Sequence, residues 1–600
     1  MKCWRSLLAY VVCGMVMLFA TFIFLPRWHR SDGESALGWD VSGYYWYLPS
    51  AIIYKDLKEQ KFGDSLIAKY PVTPAFEQSY KHESGNRVMG YSSGMAFMYL
   101  PVFLVAHVLA EPLGYPADGF SIPYQFAIQV GSLLAALIAL WYFRKLFLMF
   151  FEDKVVAILL LLLVVGTNYL NYSAIDGAMT HNWLFLLYVF LLLNTVHFYR
   201  TLQLKYAVRI GLLCGMMTLI RPSEMISIVI PLLWGMESVS KAALKKQRDF
   251  LTANWKKLLV AATFMIAIGS IQVSYWLYVT GKPFVYSYQD KGFSWLQPNL
   301  VDYIFSYRSG WITYTPLMIL SFIGIPFFIK DGKNKVAILL FFALNLYIIS
   351  AWDIWWYGGN SGRAIIQSYP VIMFPMAAFI KYVFSRRILA FLLSPVIVLL
   401  AYVNIWWTYN AHAGEGLFDP NGMNNSYYWH VIGRFHVDPE THKLKDTNEL
   451  FTGTPRQMKL VFSYDFESDT VSGDPALSAL NGTRSGYVLQ GKEYLNVPAF
   501  ALDNKAGEWL RVQGTFKSIT HEWDAWRMPQ LTVQFTNREN IVKTKQLRPS
   551  RYLGDGAAKE LFINVKIPEE SFDSVKVFLW NPRSDKTLAM DDVKVWSFNE

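Results

Sequence analysis

Apolar runs long enough to cross a bilayer recur through the first 407 residues, and they leave little choice in what this chain can become. They cover residues 7–26, 124–147, 155–173, 183–199, 207–220, 223–236, 258–280, 311–329, 336–351, 369–384 and 388–407. A bilayer core needs about 20 apolar residues per helix, and fewer where the helix is packed in a bundle. These runs predict about eleven transmembrane helices, and an odd number puts the termini on opposite sides. Composition agrees. A chain of 600 residues that is 53% hydrophobic and 17% charged is too apolar for one soluble globule, and 22 Trp, 36 Tyr and 42 Phe suit broad membrane–water interfaces.

The formal charge of +10 does not point to nucleic acid, because the basic residues fall in short segments between apolar runs. Cytoplasmic loops have this character. Residues 95–110 form a twelfth apolar run, interrupted by Pro101 and His107. Counting it as a crossing would turn Arg144, Lys145, Lys154, Lys241, Lys245, Lys246, Arg248, Lys256 and Lys257 outward. That contradicts the positive-inside rule, so the run is read as a helix lying in the outer interface. The first outer loop then extends over 27–123, with an amphipathic stretch near 50–61. Residues 7–26 resemble a signal peptide but lack a small-residue cleavage site, and are read as a retained anchor with Lys2 and Arg5 in the cytoplasm. Cys3, Cys13 and Cys214 all lie in or beside apolar runs, which excludes a disulfide framework in the polar tail.

Beyond residue 407 the composition changes. Residues 408–456 read as a connector rich in Asn, Gly, His and Pro. Residues 457–600 carry short β-type runs at 459–466, 493–497, 509–516, 530–536, 560–567, 574–580 and 592–597, separated by turn-rich segments such as Ser472-Gly473-Asp474-Pro475 and Asn581-Pro582-Arg583-Ser584. About seven short strands predict an antiparallel β-sandwich. It resembles the jelly-roll domains that often bind carbohydrate, including the ending Met590-Asp591-Asp592-Val593-Lys594-Val595. Trp523 and Trp526 form a pair that could stack on a sugar, and a purely structural cap is the competing reading.

Charge also gathers next to the outer ends of the runs: Asp40, Asp176, His181, Arg221, Glu224, Arg308, Asp353 and Arg363. Ionisable groups at that depth are costly and tend to face a cavity. No phosphate loop, dinucleotide fingerprint, H-E-x-x-H, nucleophile elbow or Cys/His metal grouping is present. A lipid-linked donor, entering sideways between helices, suits such a chain better than a soluble nucleotide. Arg308 and Arg363 have Asp302 and Asp353 as alternative partners in structural ion pairs, and Arg221 before Pro222 could simply anchor a helix end.

Four further motifs accompany the first-loop acid: Gly166-Thr167 with Met179-Thr180-His181, Leu219-Ile220-Arg221-Pro222, Ser306-Tyr307-Arg308-Ser309-Gly310-Trp311, and Trp355-Trp356-Tyr357-Gly358-Gly359 with Gly362-Arg363. In this order, after an Asp in the first outer loop, they resemble bacterial members of the C-type glycosyltransferase superfamily (GT-C), which includes protein mannosyltransferases and the aminoarabinose transferase of lipid A. The resemblance covers residues 1–407. Protein mannosyltransferases carry paired Asp-Glu in the first loop, whereas Asp40 is followed by Val41, which argues against protein mannosylation.

The resemblance implies transfer of a sugar from a polyprenyl-phosphate carrier to a lipid, glycan or protein acceptor at the outer face of a bacterial inner membrane. It implies Asp40 as the base, and gives Arg221, Arg308 and Arg363 to the donor phosphate. Asp176, His181 and Glu224 would contact the sugar or the acceptor. Some relatives use a divalent cation, but no ligand set can be read from this sequence. The competing expectations are a non-enzymatic flippase for lipid-linked glycans and a glycan polymerase or ligase using a lipid diphosphate. No internal repeat of the kind expected for a flippase is evident.

Overall fold

The computed structural model describes residues 3–30, 33–288, 291–413, 416–467, 479–502, 507–518, 527–553, 556–584 and 586–600. The chain divides into two compact units, Met1–Pro420 and Asn421–Glu600.

The first unit is helical. Its first helix, α1 (Trp4–Phe19), starts with no side-chain cap of its own. Asp153 supplies the missing acceptor, taking the Arg5 N–H at 3.0 Å and the Ser6 N–H at 3.1 Å. These are helix-start donors with no intrahelical partner, and a carboxylate also suits the positive end of the dipole. Arg144 reinforces the junction, donating from Nε to Ser6 Oγ (2.8 Å) and from Nη2 to the Cys3 carbonyl (2.7 Å). The start of α1 is thereby joined to the turn between two later helices.

Seven helices among the described residues are long and apolar enough to cross a membrane: Trp4–His29, Gly94–Leu113, Ile122–Phe147, Thr180–Thr201, Trp255–Thr280, Arg363–Phe384 and Arg387–His412. The chain is thus a multi-pass membrane protein by helix length and composition. The helices are not equivalent. The apolar window of Arg363–Phe384 is 94% buried and that of Trp255–Thr280 only 6%. The first is the centre of the bundle. The second turns residues such as Ile266 outward, as Arg387–His412 does with Phe391. Apolar area costs about 25 cal/mol per Å² in water, so such helices need lipid around them.

Several of the eleven expected crossings are not single long helices. The run 155–173 is a helix over Asp153–Gly166 and then one wide turn at Asn171–Ile175. The run 223–236 holds only a 3-10 turn, Pro222–Ile228, and the short helix Val229–Leu233. The run 311–329 breaks into Trp311–Tyr314, Pro316–Met318 and Ile319–Asp331. Pro222 and Pro316 start the new pieces because proline has no N–H to continue the preceding ladder. Conversely, the run left out of the expected crossings, 95–110, forms one of the seven long helices. The amphipathic stretch expected near 50–61 does not form a continuous helix. One turn at Pro49–Ile53 is followed by bends in which Asp56 accepts the N–H groups of Glu59 (2.8 Å) and Lys61 (2.9 Å). Such side-chain bonds compete with the helical ladder.

The segment between α1 and Ile122 is a folded layer. It holds a short helix, α2 (Asp40–Tyr45), a hairpin of Ser79–Lys81 and Arg87–Met89, and α3 (Gly94–Ala110). Aromatic packing fixes it. Trp46 stacks on Phe62 (5.4 Å, 16°), and Tyr45 meets Phe120 edge-on (5.4 Å) while donating to the Gly119 carbonyl (2.5 Å).

The second unit is an antiparallel β region. Strands β1 (Arg456–Tyr464), β9 (Leu588–Asn599), β4 (Trp509–Ser518) and β7 (Lys559–Lys566) form one sheet in that order, and β2 (Gly486–Val488) also pairs β9. The other sheet runs β3 (Tyr494–Asn496), β8 (Ser574–Trp580), β5 (Gln530–Asn537), β6 (Asn540–Leu547). Leu510, Val512 and Phe516 of the first sheet share one buried cluster with Leu531, Val533 and Phe535 of the second. Strand β6 was missed in the sequence because it is an edge rich in Lys543 and Lys545, a composition that protects edges from further pairing. Residues 439–445 of the expected connector coil into a 3-10 turn, followed by Asp446, whose fully buried carboxylate is held by Arg548 (2.6 Å) and Arg551 (3.4 Å). At the turn beginning at Asn581, Asn581 Oδ1 accepts the Ser584 N–H at 2.7 Å. Trp523, Trp526 and the turn at 472–475 lie outside the described residues.

Candidate active site

Asp40 is the first residue of α2, and the preceding Trp39 has φ of 50°. A bulky residue in the left-handed region is unusual and persists only where the surroundings hold it. Here the Trp39 N–H donates to the Val72 carbonyl at 3.1 Å. The carboxylate is fully engaged. Oδ1 accepts the Tyr91 hydroxyl at 2.7 Å, and Oδ2 faces Arg363 Nη2 at 2.5 Å. Charge-assisted contacts of this length are the strong ones. The Asp40 side chain retains 30% exposure and that of Arg363 17%.

Two glycines make this arrangement possible. Gly362 has φ of 55°, and a Cβ there would stand 2.9 Å from Trp311 Cβ. Its left-handed turn delivers Arg363 to Asp40. At Gly43, a Cβ would lie 2.3 Å from the Tyr91 ring, so only glycine lets that ring lie against α2. The ring also packs on Tyr44 with centroids 4.3 Å apart. Burial, and then the Asp40 charge, push the Tyr91 hydroxyl well above its ordinary value, so it remains a donor.

A cavity of about 480 Å³ opens beside this pair. Asp40, His181, Arg221 and Arg363 all line it, which brings four of the seven expected site residues to one wall. Arg221 follows the last residue of the helix Leu204–Ile220, and its guanidinium lies over the Tyr357 ring at 5.6 Å. Much of the remaining wall is apolar, including Trp276, Val285, Ile348, Ile349 and Trp352. A charged corner and a greasy flank thus share one space.

The other three expected residues are elsewhere. Glu224 is 2% exposed and lies behind the wall, accepting from Tyr188 (2.6 Å) and Gln367 (2.9 Å). Asp176 forms an ion pair with Arg27 and faces His412 Nε2 at 3.9 Å, tying the end of the first span to the last helix. Arg308 lies 3.6 Å over the Trp356 ring, and burial brings its guanidinium down to about 10. Trp356 lines the cavity, but Arg308 is not among its lining residues. The alternative pairing of Arg363 with Asp353 is excluded, since Asp353 accepts from the Gly292 N–H (2.7 Å) and Ser294 Oγ (2.8 Å).

Sequence reasoning missed Tyr91, Tyr44, Tyr288 and Gln367 on the same wall. Two had a signal in sequence spacing: Tyr44 lies four residues after Asp40, and Gln367 four after Arg363. Tyr91 had none, because its contact depends on a distant hairpin. Among the described residues no three His, Cys, Asp or Glu side chains come close enough together to hold a metal ion by themselves.

No protein-family model matches the chain, and no curated protein matches it in sequence.

Proposed function

We propose that this chain is a GT-C-type membrane glycosyltransferase that moves a sugar from a polyprenyl-phosphate carrier to an acceptor hydroxyl at the outer face. The observation that carries the reading is the shared wall of Asp40, Arg363 and Arg221 beside an apolar flank. A carboxylate near a guanidinium pair suits proton removal and phosphate binding at once. The apolar flank suits a lipid tail.

The reaction is one inverting displacement. The acceptor oxygen attacks the anomeric carbon, and its proton passes to Asp40. The bond from that carbon to the phosphate oxygen breaks, its electron pair leaving with polyprenyl phosphate. Arg221 is the phosphate ligand, because among the described residues its guanidinium has no hydrogen bond or ion pair. Phosphate arriving beside Arg363 gives that side chain a second anion and loosens its hold on Oδ2, freeing that oxygen for the acceptor proton. Donors aligned before charge develops lower the barrier most.

In this reading the first unit crosses the membrane eleven times, its shorter pieces completing the long helices, with α3 on the outer side. The N-terminus is cytoplasmic. The second unit is a jelly-roll-like sandwich in the periplasm of a bacterium.

The test is mass spectrometry of envelope glycolipids and glycoproteins from cells with the wild-type gene, without it, and with Asp40→Asn. One glycoform should vanish in both of the latter. An unchanged profile in Asp40→Asn cells rules out the assignment of the base.

A further inference from the structure

His181 lines the cavity, and its ring holds a buried nitrogen that none of its own contacts uses. Three buried side chains lead to it. Tyr188 donates its hydroxyl to Glu224 Oε2 (2.6 Å), and Gln367 Nε2 donates to Glu224 Oε1 (2.9 Å). Gln367 Oε1 then faces His181 Nδ1 at 2.8 Å. His181 and Glu224 are each 2% exposed and Gln367 is 1% exposed.

The donors in this row follow from chemistry. The amide nitrogen of Gln367 donates to Glu224 Oε1, and that carboxylate oxygen only accepts. The oxygen of the same amide must then face His181, and an amide oxygen also only accepts. The hydrogen between them therefore sits on Nδ1. A neutral imidazole has one N–H, so Nε2 carries a bare lone pair. No carboxylate bonds to the ring, so a second proton would be a buried charge without a counter-ion. Nε2 is buried without a hydrogen-bond partner, and His181 lines the cavity. Leaving a buried polar atom unsatisfied is costly, which points to a ligand that completes it.

We propose that His181 Nε2 accepts a hydrogen bond from a hydroxyl of the bound sugar, and that Gln367 and Glu224 are positioning residues that fix the tautomer able to do so. This rests on reading the cavity as a glycosyl-transfer site. A lone pair repels phosphate oxygens, so the sugar, not the phosphate, belongs at His181, while the guanidinium groups take the anion. A site built to pair with a hydroxyl discriminates strongly against analogues lacking it.

Two measurements on the full chain in detergent test this. The first is ¹⁵N NMR of histidine-labelled protein, with His181→Asn identifying the signal. The expected result is a hydrogen on Nδ1 and none on Nε2. Glu224→Gln, whose amide can donate or accept, removes the carboxylate that fixes the row and should let both tautomers appear. A hydrogen on Nε2 in the wild type overturns the proposal.

The second is binding of polyprenyl phosphate and of its glucosyl, mannosyl and galactosyl esters. His181→Phe should weaken the preferred sugar-bearing lipid about tenfold, the usual scale for one lost hydrogen bond. It should leave polyprenyl phosphate unchanged, and His181→Asn serves if the phenylalanine variant misfolds. Equal affinities for wild type and variant, or equal losses for both lipid types, overturn this proposal alone. Failure of the wild type to bind any of these lipids overturns the glycosyl-transfer reading, and the proposal with it.

Discussion

Arg363 Nη2 stands 2.5 Å from Asp40 Oδ2, joining residues 323 positions apart. The pair unites the segment between α1 and Ile122 with the start of the most buried of the seven long helices. Each charge is the other's neutraliser, so neither can be removed without leaving its partner uncompensated. Asp40→Asn and Arg363→Gln should each cost about 1–3 kcal/mol, the range for leaving a partly buried polar group unsatisfied. The double variant should cost little more than either alone, because the interaction is lost once. Thermal unfolding of the four proteins in one detergent measures this coupling, and additive losses would show that the contact carries no net energy.

In the proposed reaction Asp40 and its hydroxyl donor Tyr91 should contribute unequally to transfer. Asp40→Asn removes the proton acceptor and should slow turnover by about a hundred- to ten-thousandfold. Tyr91→Phe removes only the hydrogen bond to Oδ1 and should slow it about tenfold. Radiolabelled sugar transfer with purified variants resolves the order. Equal rates for Asp40→Asn and wild type would remove the carboxylate from the reaction.

Gly362 should be intolerant for a reason of backbone geometry. Alanine at φ of 55° is strained by about 1 kcal/mol, and its Cβ would press on Trp311. The next residue is Arg363, so the displacement reaches the site directly. Gly362→Ala should lower the melting temperature by a few degrees. It should also weaken donor binding as much as Arg363→Gln does. A melting shift with normal donor affinity would mean that the turn serves the fold alone.

What could be read in the sequence was what periodicity and composition control. The apolar runs gave the helical unit, and alternating short runs gave strands such as β4 and β8. The charged residues beside helix ends gave Asp40, Arg221, Arg363 and His181. What could not be read was tertiary. The breaks at Pro222 and Pro316 look locally like the ends of crossings. Asp176 carries the same kind of signal as Asp40, and only packing shows that Arg27 already holds it. Tyr91 reaches Asp40 through a hairpin with no distinguishing pattern.

Several tyrosines outside the spanning helices make the fold sensitive to alkali. Burial, then the Asp40 charge, raise Tyr91 well above its ordinary value. Burial, then its hydrogen bond to Asp118, bring Tyr70 up to about 12. In the unfolded chain these groups ionise near about 10. Their contribution is therefore fully present below pH 10 and is lost as pH rises from there through the folded-state values. Thermal melts between pH 8 and 11.5 should be flat at first and then fall, with tyrosinate absorbance appearing together with unfolding. Absorbance that rises well before unfolding would show these hydroxyls open to solvent.

The side on which α3 lies decides the topology, and its contacts give a definite expectation. Its 17 residues span about 25 Å, close to the thickness of a bilayer core. Yet its contacts stay at the Asp40 end of the bundle. Gly94 is packed against the backbone of Leu219 and Ile220, next to Arg221. Tyr99 donates to the Ala178 carbonyl, just before the helix Thr180–Thr201. Tyr45 of α2 touches both Tyr99 and Phe103, and also holds Gly119 beyond the far end of α3. The helix Ile122–Phe147 runs back past it, with Tyr124 beside His107, and at Ser132 it already accepts from Asn182 at the start of the helix Thr180–Thr201. The opposite end of the bundle, where Arg144 meets Ser6, is reached only about 18 Å further along that same helix. Exposed Val105 and Val108 then suit a helix lying in the plane of a membrane interface, which the proposed topology puts on the outer side. Single cysteines at Ser84 and Leu113, on either side of α3 in a chain otherwise free of cysteine, should therefore both react with a membrane-impermeant maleimide added to intact spheroplasts. Labelling of only one of them would make α3 a crossing and reverse the side of every loop after it.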